Sequence, residues 1–369
     1  MKICILSEFS VSPYMEGTNR VTLGLSRELT KQGHTVHIVS PAWGQDKTLT
    51  NEVYEIDGIK IHIFKAPFLN NPIFRIIFYI INGIKIYFKH DVDVFYGTYT
   101  LPPAIAASAL GLMLRKKRYA AIYEPAACSR TNNPIVKFLL SKLSGVVTHT
   151  NTVKRMIVAN FGIPEESIAI IPGFYDAVRF RPMEKNKELV AKHNLNKKFV
   201  VLFVGRITAL KGVQYLIDAI SLIKNEKLKL LLVGREVEHE NFRNTVEKLN
   251  LENIIEFVGY VPDEELPKYY SVADCVVLPS LSEGFGIVLA EAMASKKPVI
   301  ASDTLPLPEV VGEGGIIVPA KDSKKLSAAI QILMQNRKLR EEIAEKAIER
   351  AQEFNSEIIL STHAKFLTV

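Results

Sequence analysis

The segment that most restricts the fold is CVVLPSLSEGFGIVLAEAMAS, from Cys275 to Ser295. Cys275–Leu278 has the make-up of a buried strand, Pro279 to Gly286 is polar and punctuated by glycine, and Ile287–Ala294 is an unbroken run of helix formers. A strand that passes through a short loop into a helix predicts an α/β domain, and a helix apolar on all sides is buried within it. Glu291 is the exception to that apolar surface, and a carboxylate there is costly unless something satisfies it. It lies four residues after Ile287 and three after Val288, on the face of the first turn, where backbone N–H groups lack helical partners. Those donors and the positive end of the helix dipole favour an anion such as phosphate. One ligand would meet both needs, with phosphate at the helix start and hydroxyls on Glu291 and Glu283. A nucleotide sugar has that pattern; an internal salt bridge at Glu291 is the other reading.

The same alternation runs through the rest of the chain. Strands are expected near residues 2–6, 35–40, 92–96, 119–123, 145–150 and 167–171, with helices between them, the first over 18–31. The alternation restarts with strands near 199–204, 229–233, 254–257, 275–278 and 298–301, and ends in two long helices, 323–335 and 337–352. Strands separated by helices imply right-handed crossovers and parallel sheets. The prediction is two Rossmann-like, doubly wound α/β domains, residues 1–175 and 176–352, joined through PGFYDAVRFRPMEKNKE, with a segment 353–369 packing back on the first. Gly17 stands between the first strand and the first helix, where a chain approaches a ligand closely, although a plain turn glycine fits equally. No GxGxxG accompanies it, which counts against a dinucleotide. In the second domain Gly205 ends a strand, and Arg206 and Lys211 follow at the carboxyl edge where open α/β sheets bind ligands. Arginine grips phosphate oxygens with a planar fork and lysine supplies a compact charge, so a diphosphate site is expected there.

Composition narrows the setting. Three cysteines, Cys4, Cys128 and Cys275, are too dispersed for a zinc site or a disulfide framework and fit a reducing compartment. The start of the chain does not read as a signal peptide, and no run is long enough to span a membrane. A cytoplasmic protein, soluble or peripheral on the inner face of the cell membrane, is expected. The net charge of +7 lies in the first half, where residues 1–180 hold 20 Lys and Arg against 13 Asp and Glu. The excess favours an anionic partner, a phosphorylated acceptor or an acidic membrane surface, and no nucleic-acid-binding motif accompanies it. PIFRIIFYIINGIKIYFKH, from Pro72 to His90, reads both as a crossover helix and as a basic amphipathic helix for a membrane interface.

Glu283 and Glu291, with GFG after the first, and GRITALKG at Gly205 to Gly212, resemble the retaining glycosyltransferases of family 4. The resemblance extends through VGYVPDEELPKYYSVADCVVLPS and the junction IAIIPGFYDAVRF. It implies the GT-B fold, two Rossmann-like domains facing an interdomain cleft, and transfer of a sugar from a UDP- or GDP-type donor to a glycan, lipid-linked or small polar acceptor. By position, Glu283 would meet the donor sugar near its reacting carbon, with Gly284, Phe285 and Gly286 lining that pocket. Glu291 would hold the ribose. Arg206 and Lys211, beside Gly205, would bind the diphosphate with amides of Ile287 and Val288, and Gly17 would cover it from the other domain. Gly259 and Tyr260 would lie near the base. No cofactor and no metal are expected, because the fixed cations replace one.

The acceptor side departs from the family pattern. Glu124 stands where a histidine is usual, the HxH after the fourth strand reads FYGTYT with Tyr96 and Tyr99, and Gly173 and Phe174 replace the junction asparagine and glycine. Glu124 in that place would hydrogen-bond a sugar hydroxyl. His149 is the nearest substitute histidine and more often structural. The missing histidine leaves a catalytically silent nucleotide-sugar-binding protein as an alternative, and an epimerase as a weaker one.

Overall fold

A computed structural model of the chain describes residues 1–8, 17–42, 52–66, 71–98, 100–123, 128, 133–223, 225–237 and 241–369. They form two compact units, Met1–Gly173 with Glu357–Val369, and Phe174–Ser356.

The first unit is built on an eight-stranded sheet. In chain order its strands are β1 (Lys2–Leu6), β2 (Thr35–Pro41), β3 (Glu52–Ile56), β4 (Ile59–Phe64), β5 (Val94–Gly97), β6 (Lys117–Ala121), β7 (Gly145–Thr148) and β8 (Ile168–Ile170). Their spatial order is β3-β4-β2-β1-β5-β6-β7-β8, all parallel except the β3–β4 pair. The helices α1 (Gly17–Lys31), α2 (Pro72–His90) and α3 (Leu101–Leu114) make the crossovers around β1 and β5. The chain reverses its direction of winding between those two strands, which makes their carboxyl ends the switch point. The hairpin β3–β4 departs from the sequence expectation of an all-parallel sheet. Its turn is Asp57-Gly58, with φ of 52° and 77°, the conformation that hairpin turns favour. Asp-Gly between alternating residues was the signal for it, outweighed in the sequence by the βα rhythm around it.

Segment 72–90 is a crossover helix. The Asn71 side chain accepts from Ile73 N, Pro72 sets the first turn, and Asp91 closes the helix in the left-handed conformation. Tyr79, Asn82, Gly83 and Ile86 are buried on its inner face. The final helix, Ser356–Thr368, packs on the same sheet: His363 hydrogen-bonds Tyr96 of β5 at 2.7 Å, and Phe366 meets Tyr119 of β6 edge-on.

The second unit has six parallel strands: β9 (Phe199–Val204), β10 (Leu228–Val233), β11 (Ile255–Gly259), β12 (Cys275–Leu278), β13 (Val299–Ser302) and β14 (Gly315–Val318), in the order β11-β10-β9-β12-β13-β14. β9, β10 and β12 are buried along their whole length, as continuous apolar runs in a sheet covered on both faces must be. The switch point here lies between β9 and β12.

Burial has a cost at two histidines of the first unit. His149 is held down to about 4 and His363 to about 3, in both cases chiefly because burial disfavours the charged ring. A histidine lowered by folding binds its proton more readily in the unfolded chain, so stability falls as pH drops from about 6.5 toward 4. At these shifts each ring costs on the order of 3 kcal/mol or more by the acid end of that window. Calorimetric unfolding between pH 7.5 and 4.5 is expected to show a falling midpoint below pH 6.5, and a shallower fall in His149→Gln, which has no ring to charge.

Candidate active site

The carboxyl ends of β9 and β12 bring the predicted donor residues of the second unit together. After β9 come Gly205, exposed Arg206, and a short turn in which the Thr208 hydroxyl accepts from the Lys211 amide. After β12 the chain runs through Pro279 to Gly286 into the helix Ile287–Ala294. Lys211 Nζ donates to Glu283 Oε1 at 2.5 Å, joining the two loops across the switch point. Leu281 N donates to Leu210 O at 2.9 Å beside it. Gly212 allows this closeness, because a Cβ there would stand 2.0 Å from the Pro279 carbonyl oxygen. Arg206 makes no hydrogen bond or ion pair with a described residue and is exposed just after β9.

Glu283 is fixed from behind. The Ser280 hydroxyl donates to its Oε1 at 2.9 Å, and Ser280 is in turn held through its carbonyl by the hydroxyls of Ser302 and Thr304. Both partners of the Lys211–Glu283 pair are largely buried, with side chains 19% and 11% exposed. Gly286 starts the helix with φ 85°, a conformation that suits glycine, and no side chain caps it. The helix therefore presents bare N–H groups beside Gly284 and Phe285, whose ring packs edge-on against Phe354.

Glu291 is 2% exposed. The Tyr270 hydroxyl donates to its Oε2 at 2.8 Å and lies 3.3 Å from the Val288 carbonyl oxygen. Tyr270, Ser280, Ser302 and Thr304 are positioning residues that the sequence reading missed; Tyr270 sits inside VGYVPDEELPKYYSVADCVVLPS, but nothing in its spacing pairs it with residue 291. Gly259 ends β11 and Tyr260 follows it on the same carboxyl edge, where the Arg235 guanidinium lies over the Tyr260 ring at 5.2 Å.

In the first unit, Gly17 is the first residue of α1, while Glu124 and Tyr99 lie outside the described residues. Tyr96 is buried and occupied by His363. Tyr123 hydrogen-bonds Tyr96 and stacks on His149 at 3.7 Å. His149 Nδ1 donates to the Ile171 carbonyl at 2.9 Å, which leaves Nε2 as the unprotonated nitrogen. A second polar group stands at the end of β1: Glu8 accepts from Arg75 at 2.6 Å and from Thr100 at 3.1 Å. Both edges of parallel strands thus carry ordered polar side chains.

The sequence pattern of Glycosyltransferase Family 4 matches residues 15–179, and that of glycosyl transferases group 1 matches residues 185–350. The fold is that of sucrose-phosphate synthase from Thermosynechococcus elongatus, at a TM-score of 0.83 and 22% identity over 99% of this chain and 97% of that one. It is equally that of Anabaena HepE, solved in complex with UDP, at 0.82 and 22% identity over the whole of both chains. These likenesses establish the GT-B fold. The O-antigen chain mannosyltransferase B of Escherichia coli is 34% identical over 173 residues, 46% of this chain and 45% of that protein. The chain spans about half to two thirds of the length of the curated relatives it matches first. Taken with the two family matches, the chain belongs to the family 4, group 1 glycosyltransferases.

Tyr270→Phe removes a donor from a buried carboxylate and is expected to destabilise the chain by about 1.5–3 kcal/mol, read as a lower urea midpoint with an unchanged slope. Adding Glu291→Gln, which removes the charge, should recover part of that loss.

Proposed function

We propose that this chain is a retaining, metal-independent glycosyltransferase that moves a sugar from a nucleotide-diphosphate donor to a glycan, lipid-linked or small polar acceptor. The observation that carries the reading is the pair of loops at the β9–β12 switch point, which joins Lys211 to Glu283, with Arg206 at the start of one loop and the helix Ile287–Ala294 at the end of the other. A diphosphate suits that concentration of fixed positive charge and free N–H groups. Glu291, already ordered by Tyr270, offers its carboxylate to ribose hydroxyls, and Gly259 with Tyr260 provides a place for the base. The UDP bound by HepE and the sugar transfer named for the mannosyltransferase support the same assignment.

The chemistry follows from where charge develops. As the bond between the anomeric carbon and the diphosphate oxygen breaks, its electron pair goes to the diphosphate and positive character builds on the sugar. Lys211, Arg206 and the amides of Ile287 and Val288 stabilise the departing charge without moving, and Glu283 orients the sugar. An acceptor hydroxyl attacks from the face that the diphosphate leaves and gives its proton to the leaving phosphate oxygen. The configuration is thereby retained and no metal is required. Glu124 is proposed to hold a hydroxyl of donor or acceptor.

Incubating the chain with UDP- and GDP-sugars and a mixture of glycan and lipid-linked acceptors should yield a glycosylated product of unchanged anomeric configuration. Lys211→Ala is expected to lower kcat by at least about tenfold, the scale of one lost charge-stabilising contact. Glu291→Ala should mainly raise the donor KM. Wild-type kinetics in both variants would remove the site, and donor binding without product would favour the silent alternative.

The acceptor is proposed to lie at an anionic membrane surface. Ile73, Phe74, Ile77, Ile81 and Phe88 of α2 are 44–77% exposed, and at about 100° per residue they share one stripe opposite the buried face. Lys85 and Lys89 run along one side of the stripe, an arrangement that suits a helix lying in a headgroup layer. No helix among the described residues is long and apolar enough to cross a membrane. Flotation with phosphatidylglycerol vesicles at low salt should carry the chain upward, and Phe74→Glu with Phe88→Glu should leave it at the bottom; equal flotation would exclude this face.

A further inference from the structure

We propose that His37, His62 and His90 form a binding site for one divalent first-row transition ion, zinc foremost. The site is separate from the sugar-transfer machinery.

Strand pairing places the first two rings together. In the β2–β4 register His37 lies opposite Lys60 and Val39 opposite His62, so both histidines point to one face of the sheet, two residues apart. His90 is the last residue of α2 and supplies the third ring: its centroid is 4.2 Å from that of His37 and 5.9 Å from that of His62. One ring nitrogen of each residue lies within 4.8 Å of the other two. His37 Nδ1 and His62 Nε2 are 2.9 Å apart. In a tetrahedral zinc site with Zn–N bonds near 2.0–2.1 Å, ligand nitrogens stand about 3.4 Å from one another. The cluster reaches that geometry by opening one pair by about half an ångström and drawing the third nitrogen in by at most about 1.4 Å.

The alternative is a pair of neutral histidines sharing a proton. That satisfies His37 and His62 and leaves His90 unexplained, because His90 Nε2 is shielded from solvent and has no hydrogen-bond partner among the described residues. A buried polar atom without a partner is uncommon. An ion accepted by all three rings accounts for each of them. Three imidazoles match zinc, copper or nickel better than magnesium or calcium, and leave a fourth position for water.

The charged groups facing the cluster are Lys2 on β1, Lys60 on β4 and Lys89 on α2. They weaken the hold on any cation, and the carbonyl end of α2 opposes them. Cys4 lies beside His37 in the β1–β2 register but is not among the clustered ligand groups. His37 and Lys2 sit near the starts of their strands, so the cluster occupies the amino edge of the sheet, away from Glu8 and Tyr123 at the carboxyl edge. An ion there would tie the end of α2 to β2 and β4 and take no part in catalysis.

The test uses the full chain without a histidine tag. Equilibrium dialysis against zinc chloride, followed by elemental analysis, should give one zinc per chain. Cobalt substitution should show the visible bands of a tetrahedral site, and zinc should raise the melting temperature. In His90→Gln, at a half-buried helix end, affinity should fall at least about tenfold while the metal-free melting temperature stays close to wild type. Wild-type protein that takes up less than stoichiometric zinc overturns the proposal. So does a folded His90→Gln or His62→Gln variant that binds zinc as wild type does. Nucleotide-sugar turnover is read separately, and its presence or absence bears on neither outcome.

Discussion

The ion pair between Lys211 and Glu283 sets the geometry of the second unit's carboxyl edge. Two loops leave adjacent strands in opposite directions of winding, and this pair, with the Leu281–Leu210 backbone hydrogen bond, holds them together. Burial makes that bond costly to break: removing one partner leaves a charge in a place where water cannot reach it easily. Ser280 therefore braces Glu283, and Ser302 and Thr304 brace Ser280 from the next strand. The result is a carboxylate and an ammonium held at fixed positions, the carboxylate in the loop that leads into the helix Ile287–Ala294.

Much of this was legible in the sequence because the two motifs are local. PSLSEGFG and GRITALKG each hold their chemistry within a few residues, and the strand before each fixes which edge of the sheet they reach. The helix Ile287–Ala294 was readable to its ends, since an apolar run after glycine has few alternatives. Tyr270 was not readable: its hydroxyl reaches Glu291 across 21 residues of chain, through the packing of one helix on another. The β3–β4 hairpin was missed for a different reason, because the repeat of strand and helix around it overrode a two-residue turn signal. Glu124, proposed to hold a sugar hydroxyl, falls outside the described residues.

The first unit uses its polar residues differently. Tyr96, which occupies part of the place where the family pattern has histidines, is turned into the protein and satisfied by His363 from the final helix. Tyr123 and His149 stack beside it, so this part of the carboxyl edge carries ordered aromatic rings. Lys85 and Lys89 lie on α2, outside the core.

The central claim is that Lys211, held in place by Glu283, is the cation that meets the donor's diphosphate. Calorimetric titration of Lys211→Ala and Glu283→Gln with UDP and GDP tests it most directly, because the first removes the cation and the second removes only the negative charge beside it. The account predicts that whichever nucleotide binds the wild-type chain binds Lys211→Ala more weakly and Glu283→Gln at least as tightly. Equal weakening in the two variants would contradict it, and would make the ion pair a structural brace only.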